Sequence, residues 1–472
     1  MLEVVQAYDR EHIATLPGDD AAALESKLTI ALARFQHRGS WLQPHQRMAV
    51  LHKLAELVSQ KREHFATLIA REGGKPYTDA LVETDRATDG IRGAADLLRT
   101  RGGAEIPMGL TPASENRRAW TIMEPIGVVA AISAFNHPLN LIVHQVAPAI
   151  ATGCPVIIKP ATATPLCCLE LVKLVLEAGM PEGWVQTLLP KSRDVSSAFA
   201  SDPRVAFLSF IGSAAVGWHL RANLAPGTRC ALEHGGVAPV IVDRSADFEA
   251  IIEPLAKGGY YHAGQVCVSV QRIFVHKDIK DAFVERFAER VGRLRVGDPT
   301  LAKTEVGPLI APAETARVTT WVDEAVAGGA RLIGGSRLSR TTLAPAILVN
   351  PPKSAKVSQE EVFGPVTCVF DFANLDDAIR EANSLPVAFQ SSVFTRDLAV
   401  ALDAAEQLDA SAVMINDHSA FRTDWMPFAG RRLSGYGVGG IPYTAREMTA
   451  EKMIVFNNSG NVDVQPEQTR WC

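Results

Sequence analysis

The chain has 472 residues, 47% of them hydrophobic and 21% charged, with a formal net charge of −5. That is ordinary globular composition, long enough for two or three domains with cores of their own. A mildly acidic balance without a polybasic run argues against a nucleic-acid binder or a protein held on an anionic membrane.

The N-terminus MLEVVQAYDREH has no basic stretch followed by an apolar core, so no signal peptide is expected. Residues 47–71 are helical in pattern. Leu51, Leu54 and Val58 recur at helical spacing, and Phe65, Leu68 and Ile69 resume it after a break at 59–62, which allows two helices. EGGKP (72–76) ends the pattern with paired glycines and a proline. The turn-rich stretch AEIPMGLTPASENRRAWTIMEP (104–125) reads as a projecting hairpin, an edge suited to pairing with another subunit.

From residue 125 the rhythm alternates between strand and helix. GVVAAIS (127–133), PVIIK (155–159), WVQTLL (184–189) and VAFLSF (205–210) are short continuous apolar runs. Helical stretches are expected at 139–151 and from Pro165 onward. The apolar run 126–135 is too short to span a bilayer. Continuous apolar strands separated by helices imply a parallel sheet covered on both faces, the doubly wound, dinucleotide-binding kind of domain. A second such region holds PVIVD (239–243), QRIFVH (271–276), a helix over 281–294 and SAVMIN (411–416), and EKMIVFN (451–457) reads as a terminal strand. Seven cysteines in so long a chain do not form a disulfide framework, so a reducing, cytoplasmic setting is expected.

Cys267 alone is weak evidence, since a single cysteine is more often inert and buried. Its setting, GQVC before a strand-like run, presents a thiol at a domain edge. Glu233, before two glycines, reads either as a loop carboxylate or as a general base. Gly212 and Ser213 lie between a strand and a helix, where free N–H groups accept phosphate. Lys159 follows a strand, as a phosphate or ribose contact or as an ordinary surface lysine.

Seven motifs, in order, make the chain resemble the aldehyde dehydrogenase superfamily over residues 41–456. They are EPIGVVAAISAFNHPLN (124–140), KPATATP (159–165), FIGSAAVG (210–217), LEHGG (232–236), GQVC (264–267), EEVFGPV (360–366) and MPFAGRRLSGYG (426–437). The resemblance implies an α/β fold with three parts. A Rossmann-like cofactor domain takes 1–103 and 124–232, an α/β catalytic domain 233–435, and a small β oligomerisation element 104–123 and 436–472. It implies a homodimer or homotetramer, no metal, and NAD or NADP as cofactor.

The same resemblance makes Cys267 the nucleophile and Asn136, with the Cys267 backbone N–H, the oxyanion donors. Glu233 becomes the base that activates water against the thioester. Relatives that pass the acyl group to coenzyme A typically lack that glutamate, so a free acid product is favoured over the acylating alternative, and a non-catalytic structural member would have lost these groups. Lys159, Gly212, Ser213, Glu361 and Phe363 are implied cofactor contacts. Thr162 replaces a glutamate that grips the ribose 2′-hydroxyl in NAD-selective relatives, so NADP is expected to be accepted as well as NAD. His234 stands where leucine is usual and is expected to pack. AFN (134–136), PFAG (427–430) and the glycine-free loop PKSRDV (190–195) are milder departures. Val266 and Val268 suggest an apolar inner pocket for the aldehyde. Arg422 reads equally as an anion contact or as a partner of Asp417 or Asp424 that holds its loop.

Overall fold

The computed structural model describes residues 1–458, apart from the side chain of Phe248. Among these residues two large sheets lie in sequence, joined by a short crossing. The first has the order Gly435–Tyr436, Arg229–Glu233, Val205–Ile211, Val128–Ile132, Val156–Lys159, Val185–Thr187. All its pairings are parallel except the first. The apolar runs read from the sequence form its centre: Val128, Val129, Ala130, Ala131 and Val156, Ile157, Ile158 are fully buried, as strands covered on both faces must be.

Chain order reverses between Val128–Ile132 and Val205–Ile211. In open sheets of this kind ligands bind at that reversal, beyond the carboxyl ends of the strands. Lys159, Gly212 and Glu233 all stand at or just past such ends.

The second sheet has seven strands, in the order Arg331–Gly334, Ala346–Val349, Val366–Phe372, Arg272–His276, Pro239–Val242, Gln390–Phe394, Ala412–Ile415. Residues 234–238 carry the chain directly from the end of Arg229–Glu233 to the start of Pro239–Val242. Cys267 and Glu361 each precede a strand of this sheet. The candidate site is therefore framed by carboxyl ends of one sheet and amino ends of the other.

The hairpin expected at 104–125 exists: Glu105–Ile106 pairs with Arg117–Pro125, whose other edge pairs along its full length with Thr449–Asn457. The expected boundary at 435/436 fails. Gly435 pairs with Glu233 and Tyr436 with Leu232, and the helix Ile441–Glu447 packs on Tyr77–Thr100 and Asn140–Thr152, so the chain returns to the first domain before it reaches the small sheet. Residues 459–472, part of the expected oligomerisation element, and Cys472 lie outside the described residues.

The two helices expected in 47–71 are Pro44–Gln60 and Arg62–Gly73, the second closed by Gly74 at φ 74°, which is left-handed and favours glycine. Residues 190–195 are not all loop: Ser192 caps a helix, Arg193–Ser201, that begins within them. Elements without a sequence expectation include the hairpin Leu2–Val5/His12–Leu16 and the helices Ala21–Gln36, Tyr77–Thr100, Pro312–Ala327, Leu375–Ala382 and Leu398–Gln407. No helix among the described residues is long and apolar enough to cross a membrane.

Candidate active site

Between the two sheets lies a cleft of about 970 Å³. Of the residues singled out from the sequence, it is lined by Asn136, Lys159, Gly212, Ser213, Glu233, Val266, Cys267, Val268, Glu361, Phe363 and Arg422. Thr162 is the exception; it is exposed, three residues beyond Lys159 and outside the lining.

Cys267 follows a backbone of unusual shape. His262, Ala263 and Gly264 are successively left-handed, with φ 49°, 55° and 71°. For the two non-glycine residues this costs about 1–2 kcal/mol each. The segment is a short tight turn over Tyr261–Gly264. Buried hydrogen bonds over-determine it: Gln265 donates through Nε2 to His262 O and Pro308 O, both at 3.1 Å, and accepts from Ile310 N at 2.9 Å. Asn136 donates one amide hydrogen to Gln265 O at 3.0 Å, which fixes it two residues from the thiol. The Cys267 N–H faces its own sulfur. Val266 and Val268 are buried with Phe389 and Phe428 in an apolar cluster against which Cys267 packs.

Asn136 is held from behind by Glu83, whose carboxylate accepts from Leu139 N at 3.0 Å and Asn140 N at 3.1 Å at the start of the next helix, and pairs with the fully buried Lys75. Neither residue drew attention in the sequence.

Glu233 ends its strand rather than sitting in a loop. Burial pushes its carboxyl up to about 7, against the pull of Arg422. Burial, then Glu233, push the Cys267 thiol up, and Arg422 opposes them. The resting site is thus a neutral thiol beside a carboxylate that titrates near neutrality.

The crossing 234–238 allows no bulk on one side. A Cβ on Gly235 would lie 1.8 Å from Glu361 Oε1, and Gly236 N donates to Cys267 O at 3.2 Å. His234 packs, as expected. Its ring lies edge-on to Phe210 and Trp218, Nδ1 bonds Gly212 O at 2.9 Å, and a Cβ on Gly217 would come within 2.0 Å of it. Burial pushes its pKa down, so the ring is neutral and Nδ1 carries the proton it donates.

The opposite end of the cleft fits a dinucleotide. Ser213 heads the helix Ala214–Ala222 with its side chain making no cap hydrogen bond, leaving an N-terminus open to phosphate. Glu361 Oε1 is buried without a partner and suits a ribose hydroxyl. Phe363, at φ 46°, stands edge-on to Phe135 with centroids 5.8 Å apart. Lys159 and Arg193 line this end with no ion pair or hydrogen bond to their side chains, together with Ser196, Ser197 and His219. Arg193 is a residue the sequence reading missed; its place at a helix start facing Lys159's strand end was the available signal.

Arg422 is half-buried at the aldehyde end and does not hold its loop through a neighbouring aspartate. It pairs with neither Asp417 nor Asp424. Its Cζ lies 3.5 Å from the Phe428 ring centroid, and its polar contact is His144 Nδ1 at 3.3 Å.

A cleft that brings a cysteine, an amide and a half-buried carboxylate to the ends of a doubly wound sheet has the chemistry a nicotinamide-dependent oxidoreductase needs. The family description "Aldehyde dehydrogenase family" matches residues 1–454, and the chain belongs to that family. It is 38% identical over 414 residues to 3-sulfolactaldehyde dehydrogenase of Priestia aryabhattai, covering 88% of this chain and 87% of that protein. The crystal structure of aldehyde dehydrogenase 21 from Physcomitrella patens, in complex with the reaction product succinate, superposes with a TM-score of 0.94 at 33% identity over 98% of this chain and 96% of that one. Glyceraldehyde-3-phosphate dehydrogenase from Methanocaldococcus jannaschii, complexed with NADP, gives 0.92 at 33% identity over 97% and 99%. The chain is an NAD(P)-dependent aldehyde dehydrogenase.

Proposed function

We propose that the substrate is an aldehyde bearing a second, anionic group, and that it leaves as the free acid. The observation that carries this is Arg422, a half-buried guanidinium in the cleft whose buried Nε has no hydrogen-bond partner and which makes no ion pair with a carboxylate. Glu233 acts on this charge without forming an ion pair, and a charge withdrawn from water is costly until a closer counter-ion is supplied. The relatives' substrates and products supply precedents, a sulfonate, a carboxylate and a phosphate. The test compares succinate semialdehyde with butanal, which differ in charge more than in length. Arg422→Met should lower the ratio of their kcat/KM values roughly 100-fold, about 2.7 kcal/mol. An unchanged ratio removes the anion site.

In the proposed mechanism Glu233, as carboxylate, takes the Cys267 proton, and the thiolate attacks the aldehyde carbon. The second amide hydrogen of Asn136 and the Cys267 N–H stabilise the resulting oxyanion. Bound NAD(P) supplies the two-electron oxidant. Glu233 then activates the water that releases the acid from the Cys267 thioester.

Lys159, Gly212, Ser213, Glu361 and Phe363 would hold the dinucleotide, and Thr162 stands at its exposed rim. We propose that NADP is accepted as well as NAD, because Lys159 and Arg193 offer unpaired cations and position 162 carries a threonine where a carboxylate would repel a 2′-phosphate. Arg193→Ala should raise KM for NADP about tenfold, the equivalent of about 1.4 kcal/mol, and that for NAD at most about twofold. Equal changes for both cofactors, or a wild type that uses NADP a thousandfold less well than NAD, defeat this.

The domain division and assembly are proposed on the same footing. Two large domains meet at 233–238, and the small sheet joins subunits into a homodimer or homotetramer. Trp120, Met453, Val455 and Phe456 leave apolar side chains exposed on that sheet's paired strands. Light scattering should give a mass of at least two 50.8 kDa chains; one chain's mass refutes it. The six described cysteines are all free, which supports a cytoplasmic setting.

A further inference from the structure

The aldehyde end of the cleft holds two arginines with opposite fates. Arg86 donates to Asp424 twice, Nε to Oδ2 at 3.0 Å and Nη2 to Oδ1 at 2.8 Å. The same Oδ1 accepts from Asn140 Nδ2 at 2.9 Å and engages His144 Nε2 at 2.7 Å. The carboxylate thus takes four contacts, three on Oδ1 and one on Oδ2, and none of them comes from Arg422. Asp424 therefore neutralises Arg86 and makes no ion pair with Arg422, although the two residues are neighbours in sequence.

The link between Asp424 and Arg422 is His144. A guanidinium has only donors, so His144 Nδ1, 3.3 Å from Arg422 Nη2, must be the bare, accepting nitrogen. Nε2 then carries the proton and donates to Asp424. The ring is neutral, and its direction of titration agrees: burial, then Arg422, push its pKa down to about 4. Arg422 is thus steered by an uncharged acceptor on one side and by the Phe428 ring beneath it. Both hold the group in place, and neither cancels its charge.

We infer that His144 is a positioning residue for substrate specificity: oriented by Asp424, it fixes the Arg422 guanidinium in the cleft while leaving its charge available to the anionic group of the substrate. The inference rests on the proposed anionic aldehyde and adds what makes Arg422 selective. A carboxylate in the place of His144 would hold Arg422 as firmly but spend its charge, as Asp424 spends that of Arg86.

Two substitutions separate the two faces of the ring. In His144→Gln the amide reaches the Nε2 position and can donate to Asp424, while the acceptor facing Arg422 is lost. In His144→Asn the side-chain oxygen takes the Nδ1 position, while the bond to Asp424 is lost. The readout is the ratio of kcat/KM for succinate semialdehyde to that for butanal, with NADP, on the full-length enzyme; turnover of butanal reports the folded state of each variant. His144→Gln should lower the ratio at least tenfold, mainly through KM of the charged aldehyde, and His144→Asn should recover it to within about threefold of wild type. Adding His144→Gln to Arg422→Met should lower the ratio no further. If Arg422→Met lowers the ratio and His144→Gln does not, or if the Gln and Asn variants lose it equally, the positioning role is wrong and the anion site stands. If Arg422→Met itself leaves the ratio unchanged, the anion site is wrong and the role of His144 falls with it. Should the Gln variant turn over neither aldehyde, the Asn variant decides: recovery supports the role and loss overturns it.

Discussion

Cys267→Ala should reduce formation of reduced cofactor from any aldehyde by a factor on the order of 10⁴ or more, without loss of the folded state. No other described cysteine can take over. Cys154, Cys167, Cys168, Cys230 and Cys368 are all buried, and none lines the cleft. The side chain removed is small, and the turn that presents it is held by Gln265 and Asn136, so the scaffold survives the change. Groups that act as a unit in nucleophilic catalysis show losses of this size when one is deleted. Absorbance of the reduced cofactor, followed for wild type and variant with one aldehyde panel, is the measurement. More than about 1% residual activity in the alanine variant would place the nucleophile elsewhere.

Glu233→Gln should give a different kind of failure. The steady-state rate falls by about 10²–10⁴, the range for loss of a general base. A first turnover still occurs, more slowly, and leaves up to one equivalent of reduced cofactor per chain with the acyl group on Cys267. Intact-protein mass spectrometry of the stalled enzyme should show that adduct. The pH profile gives a second arm. The carboxylate is the working form, and its pKa is raised to about 7, so wild-type activity is lost as pH falls through about 7. Arg422 pulls that pKa down, so Arg422→Met should move the acid limb to higher pH. An acid limb that survives unchanged in Glu233→Gln belongs to another group.

Much of this site was legible because strands of a doubly wound sheet are short apolar runs, and chemistry gathers at their ends. Lys159, Gly212 and Glu233 could be placed from the runs that precede them. The helix Tyr77–Thr100 escaped for a physical reason: its buried face carries Asp79, Glu83, Thr84 and Thr88, so the apolar periodicity that marks a helix is diluted. Those polar residues are buried because they do work across the fold, Glu83 at the start of the helix after Asn136 and Lys257 on Asp79. The left-handed His262 and Ala263 bear no glycine to announce them. The partners of Asp424 lie 280 to 338 residues away, and nothing local to residues 417–425 shows that its carboxylate is already taken, which is why Arg422 kept two readings until the fold closed around it.

The pairing of Gly435 with Glu233 has a consequence for how the protein is made. The strand that ends in Glu233 stays an open edge until a segment some two hundred residues later has left the ribosome, and so does the helix face that Ile441–Glu447 covers. Pairings this distant are slow to form, and an unpaired edge invites aggregation. The nascent chain therefore carries a cofactor fold that cannot finish, and a carboxylate that cannot be fully enclosed, until residues 435–447 have emerged.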